Sequence, residues 1–132
     1  MSTPELTETE WAIIKTVWAL EPCGAPAVQE RLAASRQWAY STVRTMLDRM
    51  AAKGLLKAEK LRNLTLYRAA VTREQAQQGE LRYALKHAFD GALTPLVQCL
   101  LESERISPAQ LDQLEALIAA KRKTAKAPGR KA

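Results

Sequence analysis

Residues 38–56 read WAYSTVRTMLDRMAAKGLL. Within them Val43, Met46, Leu47 and Met50 recur at intervals of three and four, the spacing that gathers side chains on one face of an α-helix. Gly54 follows at the position where helices close on a left-handed residue. At 100° per residue the apolar set centres on Val43 and Met50. Ser41, Thr45, Asp48 and Ala52 lie opposite, flanked by Arg44 on one side and by Thr42 and Arg49 on the other. The polar edge is short at its centre and basic at its rims.

Upstream, LTETEW (6–11) carries a capping-box pattern, Thr7 with Glu10, and a hydrophobic pair for a staple, Leu6 and Trp11. Ile13, Ile14, Val17, Trp18 and Leu20 continue a broad apolar stripe, and this spacing assigns the tryptophans to core packing rather than to a ligand box. EPCG (21–24) stops that helix. A short second helix follows, with Pro26 in its first turn and Val28 and Leu32 on one face; Ala27 and Ala33 keep the contact close. The polar triplet SRQ (35–37) is read as a three-residue break before the third helix.

Downstream, LLKAEK (55–60) and LTLYRA (64–69) alternate as strands do. They predict a β-hairpin whose turn is LRN (61–63), with Asn63 as the residue tolerant of positive φ. Three helices followed by a two-stranded wing is the winged helix-turn-helix order. The fold class is therefore mainly α: a winged helix-turn-helix over 1–71, followed by a C-terminal helical region.

From Thr72 the chain is rich in helix formers, with softer breaks at Gly79, Gly91 and Pro95. Leu81, Tyr83, Leu85, His87 and Phe89 make a wide, partly apolar surface, and His87, the single histidine, is read as packed. Ser107, Pro108 and Gln110 start a further helix with another capping box, continued by Leu111, Leu114, Leu117 and Ile118. So short a helical region cannot build a robust core alone, and a two-fold dimer is the common solution; the alternative is packing back onto the winged unit within a monomer. Residues 72–120 are expected to be a dimerisation region, with Leu85, Phe89, Leu96, Leu100, Leu111, Leu114, Leu117 and Ile118 at the interface. Residues 121–132 contain six basic and no acidic residues and are expected to form a disordered basic tail.

Net charge is +6 and unevenly placed. Residues 36–62 hold seven Lys/Arg against two Asp/Glu, hence +5, whereas residues 72–120 hold four against seven, hence −3. Positive charge focused on one segment and a tail suits a polyanion such as nucleic acid. Two distant cysteines and one histidine make neither a disulfide framework nor a metal site. Cys23 and Cys99 are read as reduced thiols, with Cys99 buried among Leu96, Val97, Leu100 and Leu101. No catalytic constellation and no cofactor motif is discernible, so the chain is not read as an enzyme. The polar, acidic N-terminus is unlike a secretory signal and no stretch is long and apolar enough to span a membrane, which makes the cytoplasm the expected location.

A helix that enters the major groove, about 12 Å wide, needs small groups on its outer face and cations at its rims. The third helix has both, and Lys60, Arg62 and Arg68 add basic residues on the wing. Asp48 is discordant: it would repel a phosphate, yet it is placed either to pair with Arg44 four residues earlier or to accept from a cytosine amino group.

The stretches LTETEWAIIKTVW, WAYSTVRTMLDRMAAKGLL, LTLYRAAVTREQ and LVQCLLESERISPAQLDQLEALI together resemble the penicillinase-repressor family (BlaI/MecI/CopY type) of bacterial transcriptional regulators, from about Leu6 to Ile118. The resemblance implies a homodimeric, sequence-specific DNA-binding repressor that places helix 3 in the major groove of a palindromic operator with its wing on the backbone. It puts Tyr40, Ser41, Thr42, Arg44 and Thr45 on the groove-reading helix, and Arg62 and Asn63 at the wing tip; charge and position add Arg49 and Lys60. Members that govern β-lactam resistance are cut at an Asn-Phe bond, which would make an inducing protease a further partner; the corresponding bond here is Cys99-Leu100. Copper-responsive members carry a C-terminal CxCxxxxCxC, and this tail has no cysteine. The alternatives are a non-specific nucleic-acid binder driven by the tail and a winged-helix protein-interaction module.

Overall fold

The computed structural model describes residues 5–125. In chain order they form α1 (Glu8–Leu20), α2 (Ala25–Leu32), α3 (Tyr40–Ala52), β1 (Leu56–Leu61), β2 (Leu64–Ala69), α4 (Arg73–Phe89), α5 (Leu93–Ser103) and α6 (Pro108–Ala125). Three helices followed by a two-stranded antiparallel hairpin are the expected winged helix-turn-helix. The chain divides into two compact units, the first ending at Ala88 and the second beginning at Phe89. The first unit thus runs past Val71, because most of α4 belongs to it.

The core of the first unit is built from the faces that periodicity marks. Ile13, Ile14 and Val17 of α1, Val28 of α2, and Val43, Leu47 and Met50 of α3 are buried, with Leu55, Leu56 and Tyr67 closing it from the wing side. Met46 and the tryptophans pack against this cluster half-buried. On α2 the small buried residue is Ala25, whereas Ala27 and Ala33 are exposed. Only Ala25 falls near the Val28 side of so short a helix, three residues before it.

Caps set the helix starts. Thr7 Oγ1 accepts from the Glu10 amide while the Glu10 carboxylate accepts from the Thr7 amide, and Ser107 and Gln110 do the same for α6. A third reciprocal pair, Thr72 with Gln75, starts α4 on the same pattern and was equally legible. Glu10 also pairs with Lys53 at the end of α3. Burial opposes its ionisation, but Lys53 and the Thr7 amide outweigh burial and hold the carboxyl below its ordinary range.

Several boundaries differ from the sequence expectation. The break between α2 and α3 covers residues 33–39 rather than three residues: Ser35 and Arg36 amides bond back to the Leu32 carbonyl, and the chain reaches α3 through an extended Ala39. Gly79 does not interrupt α4; it is buried inside an unbroken helix. In the hairpin the positive φ (58°) belongs to Arg62, not to Asn63. Leu61 pairs with Leu64, leaving a two-residue loop, and positive φ at the first central position alone is the sign pattern of a II′ turn.

α4 seats on α1 through its N-terminal half. Ala76 and Gly79 are buried, Trp11 donates to the Glu80 carboxylate at 3.1 Å, and the Arg73 guanidinium lies 4.6 Å from the Trp18 ring. The tryptophans therefore serve packing, as their spacing indicates. His87 is exposed, stacked on Tyr83 at 4.0 Å, rather than packed in a core.

In the second unit, α5 and α6 have no buried residue among those described. Leu93, Leu100, Leu111, Leu117 and Ile118 are all exposed, while Leu96 and Leu114 are half-covered. Cys99 is exposed, contrary to the buried thiol expected. It follows Leu93 by six residues, about 240° round the helix, and so leaves the apolar face defined by Leu93, Val97 and Leu100. The segment Lys121–Ala125, expected to begin a disordered tail, continues α6; the rest of that tail lies outside the described residues. No helix among the described residues is long and apolar enough to cross a membrane.

Candidate nucleic-acid interface

The outer edge of α3 is formed as its pattern requires. Val43, Leu47 and Met50 are buried, so Ser41, Thr42, Thr45 and Arg49 are turned to solvent, and Tyr40 at the helix start is 46% exposed. The side chains at the centre of this edge are short: Ser41, Thr45 and, one turn further on, Asp48. Arg49 occupies the rim towards α1, where it lines a shallow groove with Thr7, Thr9, Glu10, Met46 and Met50. Arg44 occupies the opposite rim, towards the wing.

The hairpin register sorts the basic wing residues. Lys60 pairs with Thr65 and Ala58 with Tyr67, which places Lys60 on the face that looks towards α3. Lys57 and Arg68 pair on the other face, so Arg68 does not join the helix edge. Arg62 and Asn63 are exposed at the tip, and among the described residues no side-chain hydrogen bond ties them to α3.

The residue that pattern reading missed is Tyr67. Its side chain is fully buried, and its hydroxyl donates to Asp48 Oδ1 at 2.6 Å. Asp48 Oδ2 accepts from Arg44 Nε at 3.3 Å, and Arg44 Nη2 lies 3.5 Å from Thr65 Oγ1. Asp48 is therefore engaged on both oxygens, and the pairing with Arg44 that its position allowed is formed. Burial, then the bond to Asp48, raises the Tyr67 hydroxyl to about 12, so it remains a donor at any physiological pH. The backbone of Tyr67 exchanges hydrogen bonds with Cys23 at 2.8 and 3.2 Å, joining the wing to the α1–α2 loop. Alternation in β2 places Tyr67 inward, and that was the available signal; the partner of its hydroxyl was not readable.

A short polar helix edge, an arginine at each rim and a basic hairpin beside it can receive an acidic backbone and present donors and acceptors to base edges. Among the described residues no group of His, Cys, Asp and Glu is placed to hold a metal ion.

The penicillinase repressor family model matches residues 6–120. The chain belongs to the penicillinase-repressor family. This is a family of DNA-binding transcriptional repressors and not of enzymes. Among curated relatives, an uncharacterized 16.5 kDa protein of Latilactobacillus sakei is 28% identical over 94% of this chain and 85% of its own length. The methicillin resistance regulatory protein MecI of Mammaliicoccus sciuri is 22% identical over 88% of this chain and 94% of its own. Among solved structures, the monomeric form of Bacillus licheniformis BlaI in complex with the blaP half-operator is similar to 56% of this chain and 90% of its own, at 23% identity and a TM-score of 0.48.

Proposed function

We propose that this member of the family acts as a homodimer that represses transcription by binding a palindromic operator, each copy placing α3 in a major groove with its wing against the flanking backbone. The observation that carries the reading is the α3 edge: Ser41 and Thr45 at its centre, Arg44 at one rim, Thr42 and Arg49 at the other, and Lys60 on the wing face beside it. Small central groups let the helix approach base edges closely, and the rim cations meet phosphate.

Support for the dimer comes from the second unit, whose helices expose Leu100, Leu111, Leu117 and Ile118 at 42–66%. Apolar residues grouped in this way on two helices without a core need a covering surface, and a second copy supplies an equivalent one by symmetry. The half-sites would then be separated by about 34–36 Å, one helical turn of DNA, or by a multiple of it. The basic run at Lys121, Arg122 and Lys123 adds affinity independent of sequence.

The test is selection from a genomic fragment library at physiological salt, followed by footprinting. A palindrome bound on the order of 10³-fold more tightly than random duplex is the expected result. Enrichment of no palindrome, with binding that tracks only salt and length, would leave the basic tail as the source of affinity. No DNA binding at all would leave the winged fold as a protein-interaction module.

A further inference from the structure

We propose that Asp48 is a positioning residue: held by Tyr67, it joins Arg44 and the wing into one rigid reading surface, so that operator preference depends on the Asp48–Tyr67 bond although neither side chain touches DNA. The inference rests on the operator-binding reading above and adds to it the device that sets its specificity.

Tyr67 is a fixed point. Its ring is buried and its backbone is bonded in both directions to Cys23, so its hydroxyl has one available position. From there it donates to Asp48 Oδ1 at 2.6 Å, within the range of short, charge-assisted O–H···O⁻ bonds. The second carboxylate oxygen takes Arg44 Nε one helical turn back, and Nη2 of the same guanidinium reaches Thr65. Thr65 and Tyr67 are two apart in β2 and share one face, so a single strand grips α3 at two points through Asp48 and Arg44.

Two consequences follow for recognition. Nε is the inner nitrogen of the guanidinium and Nη2 spends one N–H on Thr65, so the remaining Nη donors, those of Nη1 above all, are left aimed and available. The rotamer freedom of Arg44 is then lost on folding rather than on binding DNA, which favours the ligand that fits the aimed donors. Asp48 also offsets the charge of Arg44, which lowers attraction to phosphate on any sequence. A carboxylate on a face that meets a polyanion costs affinity; here the return is discrimination. With Oδ1 turned to the Tyr67 hydroxyl and Oδ2 to Arg44, the Asp48 carboxylate is oriented by the protein itself.

The experiment measures binding of the full chain to its selected operator and to random duplex across a salt series, for wild type, Asp48→Ala, Asp48→Asn, Tyr67→Phe and the Tyr67→Phe/Asp48→Ala double variant. Asp48→Ala is expected to strengthen binding to random duplex, to steepen its salt slope by about one, and to lower operator preference about tenfold. Tyr67→Phe is expected to lower preference with the slope unchanged, since no charge is lost. The double variant should fall no further than the worse single one, the signature of a coupled pair. Asp48→Asn, which keeps an acceptor for Tyr67, should regain most of the preference lost in Asp48→Ala. Unchanged preference in Tyr67→Phe, additive losses in the double variant, or parallel loss of operator and random binding that follows thermal stability would each overturn the inference alone. A wild-type chain that prefers no palindrome would overturn it together with the reading beneath it, before any variant is compared.

Discussion

Leu117→Ala tests the dimer quantitatively. Leu117 is 66% exposed on α6, so two-thirds of its surface is open to the partner proposed above. The substitution removes three carbons at about 0.8 kcal/mol each when fully buried, or roughly 1.6 kcal/mol for the part a partner would cover. Two-fold symmetry counts the loss twice, giving about 3 kcal/mol per dimer. At 1.4 kcal/mol per tenfold, the dissociation constant should rise about a hundredfold. Sedimentation equilibrium over a concentration series reads this directly. Unfolding of the separated monomer should be almost unchanged, because Leu117 contributes little to the fold of one chain. An unchanged dissociation constant would remove Leu117 from any interface, and a wild-type chain that stays monomeric at micromolar concentration would refute the dimer itself.

Gly54 has φ +87° with open space around its missing Cβ, so Gly54→Ala should cost about 1–2 kcal/mol of backbone strain, visible as a lower denaturant midpoint, and Gly54→Asn should cost less. Tyr67 is held neutral up to about 12 in the folded chain, against 10 for an ordinary tyrosine. Its contribution is therefore intact below about pH 10 and is lost as pH rises from there towards 12, at most about 2–3 kcal/mol. Phenolate absorbance should show one late-titrating tyrosine, which Tyr67→Phe removes. Under native conditions a thiol reagent should modify Cys99, which is exposed, and spare Cys23, which is buried with its thiol pushed up first by burial and then by Glu21. Equal reaction of both before unfolding would contradict the packing of the α1–α2 loop.

Local pattern was enough for much of this protein. The stripe of α1, the Val43–Met50 face of α3, the capping signals at Thr7 and Ser107 and the alternation of the two strands each report a preference contained within a few residues, and the elements formed where those preferences lie. The outward edge of α3 was legible for the same reason, since a helix that buries one face must expose the other. Where the sequence expectation moved, the reason was in one case a contact distant in the chain and in another the geometry of the helix itself. Gly79 reads as a break and is helical because α4 packs there. Cys99 reads as buried among leucines, yet the helical turn carries it off their face.

Asp48 shows the division most clearly. From the sequence it was a carboxylate on a basic face with a cation four residues away, and Arg44 was indeed its partner because i and i+4 side chains meet on any helix. Its stronger bond goes to a tyrosine nineteen residues later, on a strand that packing against α3 brings close enough for the hydroxyl to lie at 2.6 Å. Helical and strand periods are properties of the backbone and can be read along the chain. The meeting of α3 with β2 depends on how a shared core closes, and only the tertiary structure decides it.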